Sequence, residues 1–223
     1  RRGRMRVALL ASRLARHGVR TRVVQNAYDT DILAGVRAED RDSLRRHFAL
    51  PDDRLLVYVA RPSMARVSTP RSVSSATTRA CSWSAQGTTP SVPPTRHLGW
   101  LSYRDHLRVI RACDVGLFLP QLREGWSRCA AEAVLLDLPC LTNNSGGLAD
   151  LAALTGQPSA EPARLAEQLL DRAGAPQHER VAARKRLEVF DVAQFSREWR
   201  QLVRATADDA GDPTTPPRPI RQR

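Results

Sequence analysis

The sequence predicts an α/β fold, a Rossmann-like parallel sheet with flanking helices, and two patterns carry this prediction. Short apolar runs alternate with helix-like stretches of roughly ten residues between positions 97 and 154, as in consecutive β-α-β units. Residues 55–60 form a continuous apolar run, which is typical of a strand buried on both faces of a parallel sheet. A chain of 223 residues is long enough to bury such a core without disulfide bonds or structural metals.

Three elements are predicted before residue 60. Apolar residues over 5–25 fall near helical spacing until Gly18, and Val23 with Val24 then form a short strand. A second helix is predicted over 39–48, and the buried strand over 55–60. No complete domain precedes these elements, so the chain is expected to be truncated at its N-terminus.

The second half of the chain is more regular. Short strands are predicted over 97–101, 115–119 and 140–142, and helices over 103–113, 126–136, 147–154, 161–173, 177–190 and 193–205. The last helix places Phe195, Trp199 and Leu202 on one face, which is expected to pack toward a missing N-terminal half. Residues 206–223 are rich in Pro, Thr and Arg and predict a disordered tail.

The net charge of +12 does not indicate a nucleic-acid partner. Arginines are spread along the whole chain and Lys185 is the only lysine, a pattern typical of GC-rich coding, while aromatic residues make up only 5%. The positive charge is compatible with peripheral contact with an anionic membrane surface. Because no run of about 18 apolar residues exists, no membrane span is predicted and a cytoplasmic location is expected.

Cysteine and histidine spacing predicts neither a metal nor a disulfide. The cysteines at 81, 113, 129 and 140 form no C-x-x-C pair, and no histidine stands beside them at zinc spacing. Cys113, Cys129 and Cys140 lie in apolar stretches, where cysteine acts as a small buried side chain. None of the five histidines has the spacing of a catalytic triad.

The segment 114–150 carries the chemistry. A buried strand ends at Pro120, a loop holds Glu124 and Gly125, the next helix carries Glu132, and a turn at Gly146-Gly147 follows the next strand. Because ligands of open parallel sheets lie beyond the carboxyl ends of the strands, both acids and the glycine pair are predicted to face one cleft. Glycines let the backbone approach a ligand closely, and helix N-termini bind phosphate through their free amides. The carboxylate of Glu132 can accept hydrogen bonds from sugar hydroxyls.

Simpler interpretations stay open for the same residues. Glu132 fits a solvated acid on a helix surface, and Gly146 with Gly147 fits a plain turn.

The ordered motifs of the chain resemble those of family 4 (group 1) glycosyltransferases. Two glutamates separated by seven residues stand within Glu-Gly-Trp-Ser…Glu-Ala, followed by Leu-Pro and Ser-Gly-Gly-Leu. Further matches are Asn26 to Asp31, Val59-Ala60-Arg61 and His97 to Leu101, so that the resemblance spans roughly 7–205. The resemblance implies that this chain is the C-terminal, donor-binding half of a GT-B-type enzyme. Residues 1–25 would then be a remnant of the N-terminal domain, and 26–205 would form the domain that binds the nucleotide sugar.

The resemblance also implies the residue roles. Glu124 contacts the donor sugar near the reacting centre, Glu132 holds the ribose hydroxyls, and Arg61 with Arg66 clamps the diphosphate, with Arg66 standing where the family has lysine. The remaining donor-site residues are Gly125, Trp126, Ser127, Gly146 and Gly147. The implied reaction retains anomeric configuration and uses a nucleotide-diphosphate sugar without a metal or other cofactor; the acceptor is not identified. Asp137 stands where the family has glycine, which puts the local turn in question.

Residues 62–95 depart from this pattern. They contain eight serines, six threonines and five prolines but no Leu, Ile, Phe, Asp, Glu or Lys. A linker or disorder is the standard interpretation. A shifted reading frame is the sharper hypothesis, because permitted codons for 65–69 encode Lys-Gly-Val-Asp in another frame, as the family motif requires. Under this hypothesis Arg66 has no functional role. Residues 62–95 should then be less ordered than the elements on either side, and the fragment should be inactive. The alternative function is a non-catalytic sugar-nucleotide-binding or interaction module.

Overall fold

The computed structural model describes residues 14–18, 24–52, 55–59, 98, 101–120 and 125–209, with side chains up to 205. The predicted site residues Arg61, Arg66 and Glu124 lie outside the described residues, as does the whole of the anomalous segment 62–95. Most of 1–25 and the tail beyond 209 lie outside them as well.

A parallel sheet organises the described residues. Its strands are β1 (Val57–Val59), β2 (Val115–Phe118) and β3 (Cys140–Thr142), hydrogen-bonded in the order β1-β2-β3. Both pairs are parallel, with Tyr58 opposite Gly116 and Leu117 opposite Leu141. The predicted fold class, a parallel sheet with flanking helices, is confirmed.

The helices alternate with these strands and then follow them. Those whose bounds lie within the described residues are α1 (Thr30–Ala38), α2 (Arg41–His47), α3 (Tyr103–Ala112), α4 (Arg128–Leu135), α5 (Gly147–Thr155), α6 (Leu165–Ala173), α7 (Gln177–Lys185) and α8 (Val192–Asp209). A 3-10 turn at Pro162–Arg164 leads into α6. None of the described helices is both long and apolar enough to cross a lipid bilayer.

Alternate strand residues point to opposite faces of the sheet and build two apolar layers. Val57, Val115 and Leu141 pack against α6 through Leu165 and Leu169. The other face carries Leu56, Tyr58, Phe118 and Cys140, which pack into the larger layer formed with α1 to α5 and α7. Burial on both faces explains why these strands are apolar at consecutive positions, as the sequence indicated.

The first half of the chain differs most from the prediction. Helix α1 was not predicted, although Asp29 caps it by accepting a hydrogen bond from the Ile32 amide at 3.0 Å. Its apolar side chains Leu33 and Val36 are buried, so tertiary packing supports a segment whose sequence pattern is too short to predict a helix alone. Asp40 likewise caps α2, which is shorter than the predicted 39–48.

Three smaller predictions need correction. Val24 is not in a strand, whereas Tyr28 forms an isolated parallel bridge to Asp191. Leu98 and Leu101, the described members of the strand predicted over 97–101, are not in strand geometry. Helix α8 extends through Asp209 and therefore enters the predicted tail by four residues.

Candidate functional site

The two glycine-containing turns predicted to face one cleft are in direct contact. A Cβ atom built on Gly147 would lie 2.5 Å from the carbonyl carbon of Gly125 and 2.7 Å from the Trp126 nitrogen, so only glycine fits there. Gly146 has a positive φ of 61°, which glycine adopts without strain. The N-terminus of α5 therefore touches the loop that leads into α4.

These turns lie beyond the carboxyl ends of β2 and β3, which are neighbours in the sheet. Asn143, directly after β3, joins the two strand ends. Its backbone N–H donates to the Phe118 carbonyl at 3.2 Å, and its side-chain Nδ2 donates to the Pro120 carbonyl. The Ser145 amide donates to Asn143 Oδ1 at 3.2 Å and shapes the turn before Gly146. The strand ends and glycine turns thus form one continuous rim, the position at which open parallel sheets bind ligands.

Trp126 and Ser127 occupy different places on this rim. The indole of Trp126 donates to the Tyr28 hydroxyl and packs edge-on against Phe190, with ring centroids 5.8 Å apart. The indole is therefore an anchor for the loop. Ser127 is the N-cap residue of α4 and its side chain makes no capping hydrogen bond, so its hydroxyl is not committed to the helix.

Glu132 lies one turn into α4 and is almost wholly buried, with 3% of the residue exposed. The Tyr103 hydroxyl donates to its Oε1 atom at 3.0 Å, and the mostly exposed Arg128 approaches the same oxygen at 3.4 Å. Burial raises the pKa of Glu132 above its usual value, because these partners only partly offset the lost hydration. The interpretation of Glu132 as a solvated surface acid is wrong.

Tyrosines surround this carboxylate. All three tyrosines of the chain, Tyr28, Tyr58 and Tyr103, are close enough for the charge of Glu132 to raise their hydroxyl pKa values. Burial is the larger cause in each case, and it raises the pKa of Tyr103 to about 12. The phenols stay protonated at neutral pH, so Glu132 sits among hydrogen-bond donors.

His106 and Cys129 complete the cluster, and sequence reasoning missed both. His106 lies on α3 with its ring 5.9 Å from that of Tyr58, and burial lowers the pKa of its imidazole. Cys129 precedes Glu132 by nearly one turn of α4, and its side chain is hydrogen-bonded to Tyr58. These residues lie far apart along the chain, and only the packing of α3 against α4 brings them together.

Asp137 resolves the question that the resemblance raised about its turn. It has a positive φ of 59°, the left-handed conformation that a glycine would adopt most easily. Aspartate tolerates that conformation better than most residues, and its buried carboxylate accepts a hydrogen bond from Arg184 Nε at 2.8 Å. The turn that follows α4 is therefore kept without glycine.

Comparison with solved structures identifies the fold. HepE from Anabaena in complex with UDP-glucose has a TM-score of 0.61 at 16% identity, covering 83% of this chain and 57% of HepE. Sucrose-phosphate synthase from Thermosynechococcus elongatus has a TM-score of 0.59 at 13% identity, covering 85% and 53% of the two chains. The N-terminal domain of trehalose-6-phosphate phosphatase from Candida albicans has a TM-score of 0.58 at 12% identity, covering 82% and 49%.

The chain spans about half the length of these solved structures. At such identities the likeness shows the fold alone, a GT-B-like arrangement of parallel sheet and flanking helices. No protein-family model and no curated protein matches the chain.

Proposed function

We propose that this chain is the donor-binding half of a retaining glycosyltransferase of the GT-B type, which takes a sugar from a nucleotide diphosphate. The observation that carries the proposal is the contact between Gly147 and the Gly125–Trp126 loop, which leads into the helix that holds the buried Glu132. That HepE, a protein of the same fold, holds UDP-glucose supports a sugar nucleotide as the ligand class.

Glu132 is proposed to accept hydrogen bonds from the two ribose hydroxyls of the donor. Its carboxylate is desolvated, and its described contacts converge on one oxygen. Two hydroxyl donors would restore hydrogen bonds lost with hydration, whereas a phosphate would repel the carboxylate. Tyr103 then acts as a positioning residue, because its hydroxyl fixes the orientation of the carboxyl group.

The diphosphate is proposed to lie against the glycine rim. Helix α5 begins at Gly147 with its positive dipole end near the loop at Gly125. The Ala149 amide donates to the Gly146 carbonyl at 3.3 Å, and the amides of Gly147 and Leu148 have no partner within the helix. Arg61 and Arg66 are proposed to neutralise the leaving group, and Glu124 to contact the sugar at the reacting centre. These three residues are carried over from the family resemblance.

Calorimetric titration with UDP-glucose, GDP-glucose and UDP tests the proposal. Glu132→Gln should weaken binding of the preferred nucleotide at least about tenfold, or roughly 1.4 kcal/mol, because an amide accepts hydroxyl hydrogen bonds less strongly than a carboxylate. Glu167→Gln is the matched control, since Glu167 is an exposed acid on α6 paired with Arg164. It should leave the affinity unchanged.

Two results would contradict the proposal. One is equal affinity in the wild type and the Glu132→Gln variant; the other is no binding of any of the three nucleotides at millimolar concentration. Binding without transfer or hydrolysis of the sugar would instead favour the alternative, a non-catalytic sugar-nucleotide-binding module.

A further inference from the structure

Three side chains with metal-ligating atoms meet between α3 and α4. One ligating atom from each of His106, Cys129 and Glu132 lies within 4.8 Å of the other two. Cys129 and Glu132 are spaced by nearly one turn on the same helix, so both face α3, where His106 lies one turn after Tyr103. Glu132 is buried and the other two are half-buried.

The donor set suits a borderline transition metal. Imidazole nitrogen, thiolate sulfur and carboxylate oxygen are the three donor types that Zn²⁺ takes in proteins. Bond lengths of about 2.0 to 2.3 Å place tetrahedral ligand atoms roughly 3.3 to 3.8 Å apart. The ligating atoms, within 4.8 Å of one another, therefore need to approach by at most about 1.0 to 1.5 Å, which rotation of the side chains can supply.

The surroundings of the three residues favour ligation. His106 is half-buried on α3 and its ring packs against that of Tyr58, with centroids 5.9 Å apart, so packing limits the positions of the imidazole. Tyr103 donates to Glu132 and Tyr58 is hydrogen-bonded to Cys129, so phenols orient two of the three ligands. Both helices are fixed by buried side chains, among them Leu107 and Ile110 of α3.

We propose that His106, Cys129 and Glu132 form a three-ligand site for Zn²⁺, and that an ion bound there competes with the sugar nucleotide for Glu132. Cys129 binds as the thiolate and its proton passes to solvent. Three protein ligands leave a fourth position for water. The metal site stands on the geometry alone, whereas the competition rests on the proposed function.

Titration of the full chain with Co²⁺ in the absence of nucleotide tests the site. Wild-type protein should bind one ion and develop the absorption of tetrahedral cobalt with a thiolate-to-cobalt charge-transfer band, which Zn²⁺ should abolish by displacement. This measurement needs no variant. No charge-transfer band at millimolar Co²⁺ would overturn the proposal and leave the cluster as ordinary hydrogen-bonded packing.

Variants assign the band to its ligands. Cys129→Ser should remove the charge-transfer band, and His106→Gln should weaken Co²⁺ binding at least tenfold. Cys113→Ala, at the other end of α3, should keep the band and the wild-type affinity for Co²⁺. Thermal melting of each variant establishes that it folds. A band that persists in Cys129→Ser and disappears with Cys81→Ser would assign cobalt to a different thiol and overturn the site.

Competition separates the two proposals. Zn²⁺ at ten times its dissociation constant should raise the apparent dissociation constant for UDP-glucose about elevenfold, by mass action. If Co²⁺ binds as described and no nucleotide binds, the proposed function fails and the metal site stands. If UDP-glucose binds and Co²⁺ does not, the reverse holds. Simultaneous tight binding of both would overturn the competition.

Discussion

Asp114 and Glu132 are acids paired with arginine at opposite edges of the sheet, and they differ in how completely they are satisfied. Asp114 stands before β2 and uses both carboxylate oxygens, accepting hydrogen bonds from Arg41 at 2.9 Å, Arg45 at 2.7 Å and the Leu56 amide at 2.8 Å. Glu132 is more deeply buried, yet its described contacts are one hydroxyl and one long approach from an exposed arginine.

The arginines at Asp114 also satisfy the end of a helix. Arg41 donates to the carbonyls of Arg111 and Cys113, and Arg45 donates to the carbonyl of Ala112. These carbonyls belong to the last turn of α3 and the residue after it, which have no helical partners. The Asp114 cluster therefore holds α2, α3 and β1 together. A saturated acid of this kind is structural, whereas Glu132 is desolvated and lightly paired, as the proposed role in ligand binding requires.

The largest expected effect is the loss of stability in Asp114→Ala. The change leaves two guanidinium groups and the Leu56 amide without their shared acceptor, and should lower the free energy of unfolding by about 3 kcal/mol. Urea unfolding followed by circular dichroism measures this. Asp171→Ala, at an exposed position on α6, should change stability by less than about 0.5 kcal/mol. A loss below about 1 kcal/mol in Asp114→Ala would contradict the structural role.

The second effect is local to the glycine rim. Gly147→Ala forces a methyl group to within 2.5 to 2.7 Å of the backbone at Gly125 and Trp126, and should destabilise the fold by roughly 1 to 3 kcal/mol. Sugar-nucleotide affinity should fall as well, because the two turns must move apart.

Gly35→Ala is the matched control for this change. A Cβ on Gly35, inside α1, would meet nothing within 4 Å, and alanine favours helix by up to about 1 kcal/mol. Gly35→Ala should therefore be neutral or stabilising. Equal stability of Gly147→Ala and wild type would mean that the turns are not in contact.

The sequence predicted local features of the molecule well. Strand β3 and helix α3 match their predicted ranges to within one residue. A strand buried on two faces and an amphipathic helix each show their pattern of apolar residues within a stretch of about ten residues. The sequence placed the Gly125 loop and the Gly146-Gly147 turn at the same end of the sheet, and the contact at Gly147 follows from that topology, since the carboxyl ends of neighbouring parallel strands lie together.

What the sequence did not predict depends on tertiary packing. Tyr28, Tyr58 and the pair Tyr103 and His106 on α3 come from three separate parts of the chain, and no spacing along the chain indicates that they gather around Glu132. The grouping of His106, Cys129 and Glu132 could not be predicted either, because side chains from two separate helices leave no short motif. Helix α1 was missed for a related reason: its nine residues are too few to form a stable helix without the core that buries Leu33 and Val36.

The smallest expected effect is a change in the pH dependence of stability caused by Glu132. Because burial raises the pKa of Glu132 in the folded state, the folded protein holds this proton more tightly than the unfolded chain. The contribution of Glu132 to stability is therefore greatest below its usual pKa of 4.5, declines as pH rises through the raised folded pKa, and is constant above it. The slope cannot exceed about 1.4 kcal/mol per pH unit, the limit for one proton.

Glu132→Gln isolates this contribution, since the amide oxygen still accepts from Tyr103 but carries no titrating proton. Subtracting the unfolding free energy of the wild type from that of the variant, at each pH above 4.5, cancels the other carboxylates that both proteins share. The difference should rise with pH and then level off, because the free energy of unfolding of the wild type falls relative to that of the variant as Glu132 ionises. A difference that falls with pH would mean that the folded protein stabilises the charged carboxylate. Glu132 would then resemble Asp114, a satisfied structural acid, and the contrast between the two edges of the sheet would be lost.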